Sequence, residues 1–260
     1  MRRTVHPDLL VGLLAAVGLI TALVLGGSLG WLGVALGGSC AAALTVLVAL
    51  GLAASGRPSP GPADRVTLTR AVLACGVAAV VADTSTHDGN EGSSTVLVVL
   101  AAVALGLDAV DGRVARRTGT TSAFGARFDM ECDAFLVLVL AVHVSRGLGW
   151  WVLLIGAARY LLLLAQRALP WLRGAMPARR WRRAVAAYVG VSLTVAASGS
   201  VPHEVAAAVV GSALVALLWS FGTEAGGLWR QRGLLEGTDD SVHRDVAPDV
   251  PGLLVRGSAG

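Results

Sequence analysis

Four aspartates, Asp108, Asp111, Asp129 and Asp133, share one short stretch of a chain that is otherwise 55% hydrophobic and only 15% charged. Asp108 and Asp111 are three residues apart and Asp129 and Asp133 are four apart, so on helices each pair shares a face. Two antiparallel helices joined by a short loop would bring both pairs to one spot. Carboxylates converging in a poorly solvated place repel one another and are costly to desolvate. One or two divalent cations relieve both costs, and Mg²⁺ prefers carboxylates together with substrate phosphates and water. The spacing therefore suggests a hard-metal site for a phosphorylated substrate. Gly112 and Ala115 are small enough for a ligand to approach the backbone, and Arg116 and Arg117 offer planar forks for phosphate. Each half has a plainer explanation. A lone D-x2-D-G often marks a turn, and an acidic pair favours a helix N-terminus. Together, at the ends of two apolar helices, a site explains them better. Cys132 stands among them, but a hard cation takes oxygen ligands; Cys40 and Cys75 read as small hydrophobes, and the three cysteines make no disulfide framework.

The elements that must position these residues are membrane helices. A soluble domain carries about 25% charged residues, and a helix crosses the hydrocarbon core with about 20 apolar residues. About eight segments qualify, at roughly 9–27, 31–54, 66–83, 94–110, 129–146, 150–167, 184–200 and 204–222. The prolines of "SGRPSPGPADR" (55–65) make a linker. From Thr223 onward the chain is polar, Gly-rich and of mixed charge, and reads as a flexible cytoplasmic tail. Arg2 and Arg3 before the first apolar run resemble the start of a signal peptide, but the run is long, and a retained helix is expected.

All 21 basic residues are Arg. Arg2/Arg3, Arg57/Arg65, Arg113/Arg116/Arg117/Arg127, Arg173/Arg179/Arg180/Arg182/Arg183 and Arg230/Arg232 fall on alternate sides of successive segments, which is one side of the membrane. The opposite loops carry Arg146 beside Asp83, Asp88, Glu91 and Glu204. A multi-pass cell-membrane protein follows, with both termini and the aspartates facing the cytoplasm. Topology accounts for the net charge of +4, so no nucleic-acid partner is needed. The run "PARRWRRA" (177–184) suits anionic lipid at the inner surface.

The residues from Asp108 to Asp133 match D-x2-D-G-x2-A-R-x8-G-x3-D-x3-D at every fixed position, through Gly112, Ala115, Arg116 and Gly125. This resembles the signature of the CDP-alcohol phosphotransferases (phosphatidyltransferases). A weaker pattern of that family, N-x-x-T-x-x-R, resembles Asp64-x-x-Thr67-x-x-Arg70, with Asp64 in place of Asn. The resemblance implies an all-α, polytopic membrane helix bundle: a six-helix catalytic core over 66–222, about two N-terminal transmembrane helices with a linker over 1–65, and the tail over 223–260. It implies transfer of a phosphatidyl group from a CDP-linked lipid, such as CDP-diacylglycerol, to an alcohol, with release of CMP. It implies Mg²⁺ or Mn²⁺, two ions held by Asp108, Asp111, Asp129 and Asp133, with Asp133 also the general base. It places Gly112, Ala115, Arg116, Ser122, Gly125, Thr67 and Arg70 against the donor, and it implies a homodimer.

Two positions depart from the pattern. Relatives often carry a basic residue after the last aspartate, where this chain has Ala134, and Glu131 adds a carboxylate. On a helix Glu131 points away from Asp129 and Asp133 and reads as a bystander. Arg159 lies inside an apolar segment, where an Arg is by default a functional-site candidate, the alternatives being snorkelling or a structural pair with a carboxylate. With Arg127, Arg167 and Arg173 it would favour an acceptor that carries its own phosphate. Arg127, Arg159 and Arg173 are therefore the acceptor-side candidates. His143, near the outer end of its segment, reads as interfacial. The competing class is a non-enzymatic transporter or assembly protein holding cations on the acidic cluster; the absence of an inverted repeat in the sequence argues against a transporter.

Overall fold

A computed structural model of the chain describes residues 7–55, 62–84, 91–118, 123–169 and 180–245. Among these, the chain is helical throughout and contains no strand. The helices are α1 (Pro7–Leu25), α2 (Trp31–Ser55), α3 (Pro62–Asp83), α4 (Glu91–Thr118), α5 (Ala123–Leu148), α6 (Leu153–Ala168), α7 (Arg180–Ala197) and α8 (His203–Asp245), with a 3-10 turn at Trp150–Val152 before α6. The all-α, polytopic bundle expected from the sequence is the fold observed.

Among the described residues, four stretches are long and apolar enough to cross a membrane: Trp31–Ala54, Asp64–Asp83, Trp150–Ala168 and His203–Thr223. The apolar helices Leu10–Leu25 and Ser94–Asp108 are shorter. The segments expected near 129–146 and 184–200 are helical but do not meet that measure. Asp129, Glu131, Asp133 and Arg146 interrupt α5, and Arg180, Arg182 and Arg183 open α7.

The bundle is built around α3, whose apolar window is 72% buried against 22% for that of α2. Helices α1, α2, α4 and α5 all pack on α3. Leu97, Leu140, Leu193 and Val210, from α4, α5, α7 and α8, are fully buried in one continuous core with Val77 and Val80 of α3. Leu14, Leu47, Leu50, Val215 and Leu218 are exposed on α1, α2 and α8; an outward apolar surface of that kind suits lipid.

Small residues allow the close approaches. A Cβ on Gly156 of α6 would lie 2.9 Å from Leu138 Cα and 2.9 Å from Ala141 Cβ of α5, so the two helices meet nearly backbone to backbone. On the other side of the bundle, the Gly30 N–H donates to Asp83 Oδ1 at 2.9 Å, tying the start of α2 to the end of α3.

Two helices run further than their apolar segments. The fourth segment was expected to end near 110, yet α4 continues to Thr118 and carries the first half of the signature as helix. The last segment was expected to give way to a loose tail at Thr223, yet α8 continues to Asp245. Its sequence from His203 to Asp245 contains no proline, and glycines alone cost only about 1 kcal/mol each relative to alanine.

Candidate active site

Asp64, Thr67 and Arg70 occupy the first turns of α3 at intervals of three, which places them on one face. That face points into the bundle, since the three residues are 4%, 4% and 3% exposed. A buried guanidinium must be paired, and Arg70 is paired with the acidic residues of the signature. Its Nη1 binds Asp108 Oδ1 of α4 at 3.1 Å and Asp129 Oδ1 of α5. Its Nη2 binds Asp133 Oδ1 of α5. Its Nε donates to the Ala104 carbonyl of α4 at 3.2 Å. Three helices thus meet through one side chain.

The carboxylates are partly exposed, at 43% for Asp108, 36% for Asp129 and 38% for Asp133. Each offers an oxygen within 4.8 Å of those of the other two. A set made only of carboxylate oxygens matches the chemistry of Mg²⁺ or Mn²⁺ rather than of a soft metal. Cys132 adjoins them in sequence but is buried.

The other expected site residues separate into groups. Asp111, Gly112, Ala115 and Arg116 lie in the helical end of α4, and their side chains fall outside the described ones. Asp111 stands three residues beyond Asp108 in the sequence of that helix. Ser122 and Arg173 lie outside the described residues. Gly125 is half-buried at the start of α5, and Arg127 is exposed two residues before Asp129.

Glu131 and Arg159 form a second pair. Glu131 turns away from Asp129 and Asp133, and its Oε1 accepts a bond from Arg159 Nη2 of α6 at 2.7 Å. Arg159 Nε is buried with no hydrogen-bond partner among the described residues. Arg159, Asp108 and Asp133 line a recess of about 210 Å³ whose other walls are mainly apolar, including Leu105, Val137, Ile155, Val189, Leu217 and Phe221. Helices α4 to α8 all contribute to it. The site therefore joins a cluster of charged oxygens to a chamber suited to hydrocarbon or to a small, largely apolar moiety.

His143 and Arg146 lie near the far end of α5 from Asp129 and Asp133 and, with His203, line a separate recess of about 450 Å³. Arg146 is held there by the Val81 carbonyl at 3.2 Å and Thr84 Oγ1 at 3.4 Å. These residues do not join the acidic cluster.

Sequence reasoning missed the Ala104 carbonyl and the Glu131–Arg159 pair. The carbonyl has no side-chain signal. The pair had one, since an Arg within an apolar helix calls for an anion nearby, but nothing in the spacing chose Glu131 over the aspartates.

No curated protein and no solved structure matches the chain. The family model for CDP-alcohol phosphatidyltransferase matches residues 62–222. That span takes in the whole of α3 to α7 and the part of α8 that walls the recess, with Arg70 and all four aspartates inside it. Transfer of a substituted phosphate group from a CDP-alcohol within a membrane is the chemistry of that family. Because the match covers well over half of the chain and includes every residue that meets at the acidic cluster, the chain belongs to the CDP-alcohol phosphatidyltransferase family.

Proposed function

We propose that the chain transfers a phosphatidyl group from a CDP-linked lipid, such as CDP-diacylglycerol, to the hydroxyl of an alcohol acceptor, releasing CMP, in a reaction that depends on Mg²⁺ or Mn²⁺. The observation that carries this reading is the convergence of Asp108, Asp129 and Asp133, two of which, Asp108 and Asp133, line a mainly apolar recess. A donor with a charged diphosphate and hydrocarbon chains needs both surfaces side by side.

Asp108, Asp111, Asp129 and Asp133 would hold the ions. When bound, a pair of divalent ions supplies charge stabilisation to the attacking and leaving oxygens of an in-line displacement. The chain's own residues do the rest. Asp133, which lines the recess, takes the proton from the acceptor hydroxyl as its oxygen attacks the lipid-bearing phosphorus. The new P–O bond forms as the bond to CMP breaks, and CMP leaves with the electron pair. By the family resemblance, Gly112, Ala115, Arg116, Ser122, Gly125 and Thr67 would bind the nucleotide and its phosphates. Holding donor and acceptor in line is itself a large part of the rate.

Arg159 would orient the acceptor, with Arg127 and Arg173 as further acceptor-side candidates from the sequence. The Arg159 Nε is free to donate, and Arg159 shares the recess with Asp133. Both facts support an acceptor that carries its own phosphate. The site would face the cytoplasm, where CDP is soluble, in keeping with the Arg-rich loops at that end.

The test is purified protein with CDP-diacylglycerol, Mn²⁺ and a panel of acceptors: a polyol phosphate, a sugar phosphate, an anionic lipid and a neutral polyol. CMP release should require an acceptor and be fastest with one bearing phosphate. A preference for the neutral polyol would remove Arg159 from the acceptor's phosphate. CMP release with none of the acceptors would count against the reaction as written.

A further inference from the structure

Arg70 touches Asp108, Asp129 and Asp133 together. We infer that Arg70 is a built-in rival of the divalent cation, a positioning residue that gathers the three carboxylates and sets how tightly they hold a metal ion. The inference rests on the metal-dependent reading above. It adds a role for a residue that pattern alone would place against the donor.

Arg70 is 3% exposed, and its stem is fixed through Nε to the Ala104 carbonyl. Leaving a guanidinium there unpaired would be strongly destabilising. The three aspartates meet that need, and the guanidinium in turn screens them from one another, since like charges at such distances disfavour joint ionisation. The oxygens it uses belong to the same carboxylates that lie close enough together to ligate one ion. Arg70 therefore has two opposed effects on metal binding. It brings ligands from α4 and α5 together in advance, which aids binding. It also places a positive charge, and competing hydrogen bonds, where a dication must come, which opposes binding. The second effect is the larger. A dication about 5 Å from a unit positive charge is disfavoured by more than tenfold in affinity even at the dielectric constant of water. The preorganisation is backed by the packing of α3, α4 and α5, which Arg70 does not carry alone.

The experiment uses the full chain in detergent micelles and Mn²⁺ as the probe, with bound Mn²⁺ followed by electron paramagnetic resonance and stability by thermal melting. Arg70→Gln should bind Mn²⁺ roughly tenfold more tightly than the wild type, melt at a lower temperature without the ion, and gain more in melting temperature when Mn²⁺ is added. Arg70→Lys, which cannot bridge three carboxylates with one planar group, should shift affinity in the same direction by a smaller factor, and it serves if the Gln variant does not fold. Equal or weaker Mn²⁺ binding by a folded variant would overturn the competition. Mn²⁺ bound by neither the wild type nor the variants would overturn the metal-dependent reading and this inference with it.

Discussion

At the scale of single residues, the account turns on which carboxylates face which arginine. Asp129 and Asp133 turn toward Arg70 of α3, while Glu131, between them, turns toward Arg159 of α6. One helix thus serves two basic partners from neighbouring positions. If Asp133 accepts the acceptor's proton, Asp133→Asn should lower kcat by about 10²–10⁴ while the protein remains folded and membrane-inserted; near-normal CMP release would remove it from that role. Arg159→Gln should raise the acceptor's KM more than that of CDP-diacylglycerol, because remote phosphate contacts mostly supply binding. An equal rise for both substrates would make Arg159 a structural partner of Glu131. The aspartates were legible in the sequence because their spacing is local and helical geometry converts spacing into facing. The contacts of Arg70 were not, since they join residues 34, 59 and 63 positions apart, and such a distance carries no periodic signal.

At the scale of elements, hydropathy located the helices but not their ends. It detects only the part of a helix that suits lipid, and α4 and α8 continue into polar sequence with no proline to stop them. The break around Gly199 and Pro202 was legible because glycine and proline act through backbone geometry, whereas residues 62–65, read as the end of the 55–65 linker, open α3, since proline is tolerated in the first turn of a helix. The tight contact of α5 with α6 was not, because nothing in the sequence says which of 33 glycines lies at a helix crossing. Gly156 does, and this contact sets the distance between Arg159 and Glu131. Gly156→Leu should therefore destabilise the protein by about 1–3 kcal/mol, read as a lower thermal midpoint, and should reduce activity alongside. Gly211, against which an added Cβ would meet nothing within 4 Å, provides the control: Gly211→Ala should leave the midpoint unchanged or raised. Equal losses at both positions would show that the close α5–α6 approach is not what Gly156 provides.

At the scale of the whole molecule, the charged cluster sits where the start of α3, the later part of α4 and the start of α5 meet, while His143, Arg146 and His203 gather at the other end of α5. This polarity agrees with the Arg asymmetry of the loops. Reporter fusions at residues 88 and 260 should accordingly report opposite sides of the membrane, the second cytoplasmic; the same side for both would overturn the proposed orientation. The central claim is that the converging aspartates perform a metal-dependent transfer from a CDP-linked lipid. The most direct measurement is CMP release by the purified chain from CDP-diacylglycerol and an acceptor, titrated with Mn²⁺ and then with excess EDTA, for the wild type and Asp108→Asn. The account predicts release that rises with Mn²⁺ and is abolished by EDTA, and an Asp108→Asn variant that is folded, slower and in need of more Mn²⁺. Release undiminished in excess EDTA, or a wild-type dependence on Mn²⁺ retained by Asp108→Asn, would contradict it.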